Sequence, residues 1–334
     1  MKKTFVLVML FGIFVFLSCI AKADEIKGYM VPEFYYVAKS GDSDFRGQNG
    51  FWFRRIYFGY NSDLGEGWFV RVRVEMNNVA YKKSLIIPYL KNAYLKKKLG
   101  EGANLLIGLI EPPSFNRVEK FWGLRFVEKT PADFFKFASS RDMGISLNGK
   151  TRKGIVYTLM FGNYGSNKGE WNKGKAIYGR IGWEGRNNYF EFNAHYAGEN
   201  NKNISYFSAF FGRKGSWGKM GLNYTYLLEK TKNGESKNNG ILSGFGEVNI
   251  GSNLNFFVRY DYLFKKNFKD IVGYIPVKAS LYKTRFIISG FDYRINKIIR
   301  VSPNIKYIYY GGKESPSGDF YINITLKVSF KTKL

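Results

Sequence analysis

The sequence predicts an all-β chain that closes into a 16-stranded antiparallel transmembrane β-barrel. Apolar and polar residues alternate along most of the chain. No apolar run after the N-terminus reaches the roughly 20 residues of a membrane-spanning helix. The composition is rich in aromatic residues and glycine, with 31 Phe, 25 Tyr and 37 Gly but only 8 Pro in 334 residues. Alternating, aromatic-rich segments without helical periodicity are typical of barrels in lipid.

The first 23 residues have the layout of a secretory signal peptide. Lys2 and Lys3 precede an apolar run over residues 5–17, and Ala21-Lys22-Ala23 forms a cleavage site. This order of charge, apolar core and small residues is the signal for export. We expect cleavage after residue 23, which leaves 24–334 as the barrel domain. An uncleaved anchor and a lipoprotein signal ending at Cys19 are the alternatives.

The residue inventory indicates that the chain is not an enzyme. Cys19, the only cysteine, lies inside the predicted signal peptide, so we expect no disulfide or thiolate chemistry in the mature chain. His195, the only histidine, lies in an alternating stretch and is predicted to be a polar residue of the barrel wall. The sequence contains no recognisable carboxylate pair, metal-ligand cluster or activated nucleophile. We therefore expect no cofactor and no metal.

The alternation is clearest in the last predicted strand, where apolar residues from Phe320 to Phe330 alternate with polar ones from Tyr321 to Ser329. This period places the two sets on opposite faces of a sheet. In lipid the apolar set faces outward and the polar set faces the lumen, and closed bacterial barrels have an even number of strands. The predicted strands are 29–39, 51–61, 67–79, 87–99, 103–112, 140–149, 154–163, 175–185, 188–198, 204–213, 217–229, 240–250, 253–263, 283–294, 298–310 and 319–330.

Short turns and longer links alternate between these strands. Outer-membrane barrels have short periplasmic turns and longer external loops. With both termini in the periplasm, every short turn falls on one side, which supports the assignment. The longer links are 40–50, 80–86, 113–139, 164–174, 199–203, 230–239, 264–282 and 311–318.

The longest link, 113–139, is predicted to fold into the lumen as a constriction loop. Links longer than about 12–15 residues are uncommon unless they are functional. This one is also apolar and aromatic, so we expect it to be buried inside the barrel; an external cap or a partner surface is the alternative. Its cations would then lie at the narrowest point and set selectivity. They are Arg117, Lys120, Arg125 and Lys129.

The chain is strongly basic, with a formal net charge of +26, and such a charge indicates an anionic partner. For an exported chain we expect small anions and outer-membrane lipid, including lipopolysaccharide, and not nucleic acid. A charge on the lipid face costs about 2–4 kcal/mol at the midplane, so mid-strand cations are predicted to face the lumen. The predicted pore-lining cations are Arg55, Arg71, Arg73, Arg180, Arg259, Arg285, Lys306 and Lys327. Their pairing with inward carboxylates such as Glu75 and Asp261 is the alternative to a net anion preference.

Four short motifs lie between residues 54 and 149. They are RRIYFG at 54–59, NAYL at 92–95, LIGLIEPP at 106–113 and SSRDMGI at 139–145. In order and spacing this third of the chain resembles the early strands and constriction region of the phosphate-selective porin O and P family. The resemblance implies a 16-stranded, usually trimeric outer-membrane porin with rows of lumenal arginine and constricting lysine.

Together these features favour a passive diffusion channel for small hydrophilic solutes in the bacterial outer membrane, with a preference for anions such as phosphate. Transport would be diffusion down a gradient, with binding to lumenal Arg and Lys weak enough to permit exit. A general non-selective porin and a structural or adhesive barrel with a plugged lumen are the alternatives. Sixteen strands argue against the plugged barrel, because barrels of that size normally leave an aqueous channel.

Overall fold

The computed structural model describes residues 25–78, 85–170, 173–199, 201–268, 270–272 and 275–333. The predicted signal peptide, with Cys19, lies outside these residues. Within them, sixteen antiparallel strands form one closed barrel, in which each strand pairs with its neighbours along the chain and the first pairs with the last. The predicted fold class is therefore confirmed.

The barrel strands are β1 (Glu25–Lys39), β2 (Asn49–Gly65), β3 (Trp68–Asn77), β4 (Ile87–Gly100), β5 (Ala103–Ile110), β6 (Asp142–Lys150), β7 (Ile155–Gly162), β8 (Ala176–Glu184), β9 (Asn188–Gly198), β10 (Lys202–Gly215), β11 (Gly218–Thr231), β12 (Ser236–Asn249), β13 (Leu254–Leu263), β16 (Lys283–Arg294), β17 (Ile299–Gly311) and β18 (Asp319–Lys333). A two-residue hairpin, β14 (Ile271–Val272) with β15 (Pro276–Val277), lies in the link between β13 and β16. We call the end with the chain termini and short turns the turn end, and the opposite end the loop end.

All sixteen predicted strands are present, each bounded within four residues of its prediction. Two links predicted to be longer are short. β9 ends at Gly198 and β10 begins at Lys202, so the link predicted at 199–203 is one of them. Strands β11 and β12 continue pairing as far as Lys230 and Ser236, so the link predicted at 230–239 is a short hairpin. Both strands simply extend further toward the loop end than their alternation suggested.

The two faces of the wall differ in polarity as the alternation predicts. On β9, Phe192 is 62% exposed on the outer face, whereas Glu191, Asn193 and His195 are buried on the inner face. Large apolar side chains are similarly exposed around the outer face of the other strands. Exposed apolar residues outside and buried polar residues inside are the arrangement expected of a barrel in hydrocarbon. No helix in the described ranges is long and apolar enough to cross a membrane.

Two β-bulges change which side chains face inward. Between β1 and β2 the pairing passes from Val31↔Arg55 to Pro32↔Phe53, so Arg54 is an extra residue. Proline has no N–H for the sheet and is commonly accommodated at such a bulge. As a result Arg54 and Arg55, although adjacent in sequence, are both buried in the barrel.

The second bulge lies between β3 and β4. The pairing passes from Arg73↔Asn92 to Val74↔Leu90, which leaves Lys91 as the extra residue. Lys91 is buried, with 5% of its surface exposed. The bulge thus adds a cation to the inner face that regular alternation does not reveal.

Residues 111–141, which we call the inner segment, join β5 to β6 and pack against the inner face of the wall. The segment contains helix α1 (Asn116–Trp122) and helix α2 (Pro131–Phe134). Helix α1 ends at Trp122 and is capped by Gly123, which has the left-handed φ of 70° that glycine adopts readily. Aromatic contacts fix both helices, with Trp122 5.0 Å from Phe245 of β12 and Phe134 stacked 4.9 Å from Phe286 of β16.

Candidate functional site: the basic lumen

The inner segment is held to the wall by a buried ion network around Glu128. Arg54 Nη2 lies 3.3 Å from one Glu128 carboxylate oxygen, and Lys306 Nζ lies 2.9 Å from the same oxygen. Arg54 also pairs with Glu33 of β1 at 2.7 Å and donates to the Val127 carbonyl oxygen. All four charged side chains are fully buried. The network joins β1, β2 and β17 through one carboxylate of the segment.

Arg259 forms a second attachment between wall and segment. Its Nη1 donates to the Lys129 carbonyl oxygen at 2.7 Å, and its Nη2 pairs with Asp261 at 2.9 Å. The guanidinium also lies 5.3 Å from the ring centre of Trp122. Arg259 and Lys306 therefore lie on the inner face, but the segment covers them, and their charges are matched by buried carboxylates.

Arg180 and Lys327 face inward and also contact the segment. Arg180 donates to Asn116, the first residue of α1, and to Thr158, both at 2.7 Å. Lys327 Nζ lies 4.9 Å from the ring centre of Tyr29 and 5.9 Å from that of Phe126. Both residues support the segment at its edges.

The predicted inward orientation of Arg285 is wrong. On β16 the buried set comprises Thr284, Phe286 and Ile288, whereas Arg285 is exposed with its outward neighbour Ile287. The inner face is apolar here because α2 covers it, and Phe286 stacks on Phe134. The usual polarity of the two faces is therefore reversed at this position, and Arg285 lies on the outer surface.

One open part of the lumen lies between the inner segment and strands β2–β4. A cavity of about 460 Å³, the loop-end cavity, occupies this space. Its charged lining comprises five cations and two carboxylates, a formal excess of three positive charges. They are Arg55, Lys91, Arg125, Lys129, Lys136, Glu75 and Asp133.

Part of this charge is paired across the cavity wall. Glu75 accepts from Arg55 Nε and from Lys91 Nζ, each at 2.8 Å. Arg125 pairs with Asp133 at 2.6 Å and with Glu119 at 2.8 Å. Although burial acts in the opposite direction, Arg125 and neighbouring lysines hold the pKa of Asp133 far below its usual range. Asp133 is therefore ionised at neutral pH. Because five cations still face only two carboxylates in the lining, the loop-end cavity keeps a net positive charge.

Lys136 is placed at this cavity by an unusual backbone conformation. Its φ is 62°, a left-handed value that is uncommon for residues other than glycine. The ammonium of Lys129, with a further contribution from burial, lowers the pKa of Lys136 to about 8. Two lysine side chains therefore approach each other at the open face of the inner segment.

A row of inward cations continues from the cavity toward the turn end along β3 and β4. The guanidinium carbon of Arg73 lies 5.3 Å from the ring centre of Tyr57. The guanidinium carbon of Arg71 lies 5.7 Å from the ring centre of Tyr94, and Arg71 Nε donates to Asn61 Oδ1 at 2.7 Å. Inward residues two apart on a strand are about 7 Å apart. Arg71 and Arg73 lie on the same face of β3 as the buried Glu75, and their role as pore-lining cations stays a prediction.

The four cations predicted on the constriction loop separate into two pairs. Arg125 and Lys129 line the loop-end cavity, whereas Arg117 and Lys120 line a smaller cavity of about 190 Å³ beside the short turns. Arg117 pairs there with Glu184 at 3.1 Å. The segment therefore presents cations near both ends of the lumen, not at one narrow point.

Sequence reasoning missed several inward cations. On the wall they include Lys219, which donates to the Trp122 carbonyl oxygen, and Arg300, which lies 4.7 Å from the ring centre of Phe126. Arg54 and Lys91 are extra residues at bulges, and only Pro32 gave a sequence signal for the first bulge. Lys136 and Arg141 lie in the inner segment, where strand alternation does not apply. Arg141 pairs with Glu111 at 2.9 Å and donates to Asn92 at 3.1 Å.

The chain matches no known family model, and no curated protein matches it in sequence. Solved structures of outer-membrane porins and related outer-membrane proteins do match its fold. An anion-selective porin from Comamonas acidovorans superposes with a TM-score of 0.70 at 12% identity, covering 92% of this chain and 100% of that one. The trimer form of OmpT, an outer membrane protein of Vibrio cholerae, gives a TM-score of 0.66 at 12% identity over 92% and 99% of the two chains.

The outer membrane channel DcaP of Acinetobacter baumannii gives a TM-score of 0.65 at 13% identity, covering 93% of this chain and 98% of that one. At sequence identities of 12% and 13%, these similarities show a shared fold and nothing more. The chain is a closed 16-stranded barrel of the architecture found in outer-membrane porins.

Proposed function

We propose that this chain is an outer-membrane porin that lets small hydrophilic solutes diffuse passively and prefers anions. The observation that carries the proposal is the net positive lining of the loop-end cavity, continued by Arg71 and Arg73 on β3. The apolar outer face supports a membrane location, because side chains such as Phe192 and Ile181, each over 60% exposed, favour hydrocarbon over water. The export signal predicted at residues 1–23 supports the outer membrane.

Anion preference follows from the electrostatics of a narrow basic path. A lumen with excess positive charge raises the local concentration of anions and lowers that of cations. We infer that the inner segment is a constriction loop that leaves its water-filled path beside β2–β4. Cations already paired with carboxylates, such as Arg259 with Asp261, contribute little to this effect.

Phosphate is the anion that this lining suits best. Arginine can bind phosphate oxygens through two parallel N–H groups, and lysine adds a point charge. The resemblance of residues 54–149 to the phosphate-selective porin O and P family agrees with this choice and with assembly as a homotrimer. We expect inorganic phosphate to reduce chloride current through the open channel at equal ionic strength.

The reversal potential of the purified protein in a planar bilayer tests the proposal. With a KCl gradient across the bilayer, the sign of the zero-current voltage tells which ion passes more readily. We expect chloride to be preferred. A preference for potassium would refute the anion claim while leaving the channel claim in place.

One observation favours a plugged structural barrel as the second candidate. The inner segment fills the lumen beside β9–β13 and β16–β17 so completely that Trp122, Phe257 and Phe286 are essentially inaccessible. If the remaining space did not connect the two ends, the protein would form no channel. Stepwise conductance increases on insertion into a bilayer distinguish the two, because a plugged barrel gives no steps.

A further inference from the structure

Arg285 occupies an aromatic setting on the outer face of the barrel. It pairs across the sheet with Tyr262 of β13 on one side and with Tyr309 of β17 on the other. Its guanidinium carbon lies 5.5 Å from the first ring centre and 5.2 Å from the second. Cation–π contacts on both sides hold the planar guanidinium in place.

The charge of this arginine is not balanced by any group in the described ranges. Within the described part of the chain, Arg285 makes no ion pair or hydrogen bond, unlike the inward-facing Arg55 and Arg259. A guanidinium offers five N–H donors and remains charged at any physiological pH. An exposed, immobilised cation of this kind is suited to an anion supplied from outside the protein.

The position of Arg285 along the strand places it at the loop-end rim. It is two residues from Lys283, where β16 begins, and a strand rises about 3.3 Å per residue. Lys283 is exposed and points to the same side, because residues two apart share a face. The two cations therefore lie about 7 Å apart along the edge of the apolar outer surface.

The surroundings of the two cations favour a lipid over a free ion. Toward the middle of the barrel, exposed Tyr260, Ile287 and Ile305 continue the outer surface below Arg285. Tyrosine is enriched where a barrel meets the headgroup region, and paired basic residues there recognise lipid phosphates. A phosphate at the rim with acyl chains against the apolar residues would satisfy both parts of this surface.

We propose that Arg285 and Lys283 bind a phosphate of a lipid headgroup in the external leaflet, of the phosphorylated saccharolipid class to which lipopolysaccharide belongs. Arg285 supplies two parallel N–H donors to the phosphate, Lys283 supplies a second positive charge, and the two tyrosines orient the guanidinium. The inference rests on the proposed outer-membrane location but not on the proposed anion selectivity. Its failure would leave the conductance predictions unchanged.

The test is binding of bisphosphorylated lipid A to the purified, detergent-solubilised protein, measured by native mass spectrometry. We expect Arg285→Gln to weaken binding about tenfold or more, which is the scale of losing charge-assisted hydrogen bonds, and Arg285→Lys to recover part of it. Arg213→Gln is the matched control. Arg213 is likewise exposed on an outward position, but at the turn end, and its loss should leave lipid A binding unchanged.

Three results would overturn the proposal. Equal lipid A binding by the wild type and Arg285→Gln would show that the arginine is not part of a lipid site. Displacement of lipid A by an equal concentration of inorganic phosphate would show that the acyl chains contribute nothing. A changed oligomeric state of Arg285→Gln with unchanged lipid A binding would show that the residue faces a second subunit instead.

Discussion

Single cations on the inner wall have different roles that depend on whether the inner segment covers them. Arg259 and Lys306 are buried beneath the segment and are matched by Asp261 and Glu128. An unmatched charge at such a position would be costly, because desolvation of a buried ion is not repaid without a partner. Arg73 instead is only partly buried on the inner face of β3. We therefore expect ion selectivity to depend on the uncovered cations.

Replacing Arg73 should weaken anion preference. Arg73→Gln removes a unit charge that passing ions approach to about 5–8 Å, which in a water-like medium corresponds to about 0.5–0.8 kcal/mol. The chloride-to-potassium permeability ratio should fall about two- to fourfold in reversal-potential measurements. Arg285→Gln is the control, because that side chain lies outside the barrel and its loss should leave the ratio unchanged. An equal effect of the two variants would contradict the assignment.

Lys136 should make selectivity depend on pH. Its pKa is lowered to about 8, chiefly by the ammonium of Lys129. The group is therefore charged below pH 8 and becomes neutral as the pH rises through that value, so anion preference should decline between pH 7 and 9. Recording reversal potentials across this range checks the direction. Lys136→Gln should have a weaker anion preference than the wild type at pH 7 and a similar preference at pH 9, and should therefore lose most of the change between them. An unaltered pH response of this variant would exclude Lys136 as its source.

Individual side-chain directions were predictable wherever the alternation was undisturbed. Arg71 and Arg73 lie in a regular stretch of β3, where period two places them on the same face as the buried Glu75. The rule failed at Arg54, where the bulge opposite Pro32 adds a residue. It failed at Arg285 because the inner segment packs Phe134 against Phe286, which makes the inner face apolar. The first failure comes from the pairing of β1 with β2 and the second from packing of the inner segment, and neither is contained in the alternation of the strand itself.

At the scale of elements, the inner segment depends on one buried carboxylate. Glu128→Gln should destabilise the protein, because it leaves Lys306 buried without a counter-charge and weakens the contact with Arg54. Removing one partner of a buried ion pair costs about 3–5 kcal/mol. The expected result is a lower thermal unfolding temperature in detergent, with noisier single-channel current as the segment loosens.

A double variant tests whether the charge imbalance is the cause. Glu128→Gln combined with Lys306→Met removes both charges and replaces the lysine by an apolar side chain of similar length, an exchange that is often close to neutral. We expect it to restore most of the lost stability. If the double variant were less stable than Glu128→Gln alone, the ion pair would not explain the role of Glu128.

Strands were more predictable from the sequence than the contents of the link between β5 and β6. Repeated alternation defined all sixteen barrel strands, including β16, where the pattern is irregular. Helices α1 and α2 have only seven and four residues, too few to show a helical period. Their position depends on packing against residues such as Phe245 and Phe286, far away in the sequence. The link's apolar character indicated burial but not which strands it would contact.

At the scale of the whole molecule, the barrel should be stable only with its outer face in hydrocarbon. Phe192 is exposed on this face. Phe192→Lys should lower the free energy of unfolding from lipid vesicles by about 2–4 kcal/mol if the position is near the midplane. Phe192→Leu, which keeps the surface apolar, is the control. Equal unfolding midpoints in urea for the two variants would argue against a lipid-facing position.

The central claim for the whole molecule is that an ion path follows the basic wall beside β2–β4, while the opposite side of the lumen is filled. The most direct test places a single cysteine on either side, in a chain whose only cysteine, Cys19, lies in the predicted signal peptide. Arg73→Cys borders the proposed path, and Ile288→Cys replaces a fully buried inward residue. We predict that a negatively charged methanethiosulfonate reagent lowers the single-channel current of Arg73→Cys and leaves that of Ile288→Cys unchanged. Block of Ile288→Cys with no effect on Arg73→Cys would contradict the account.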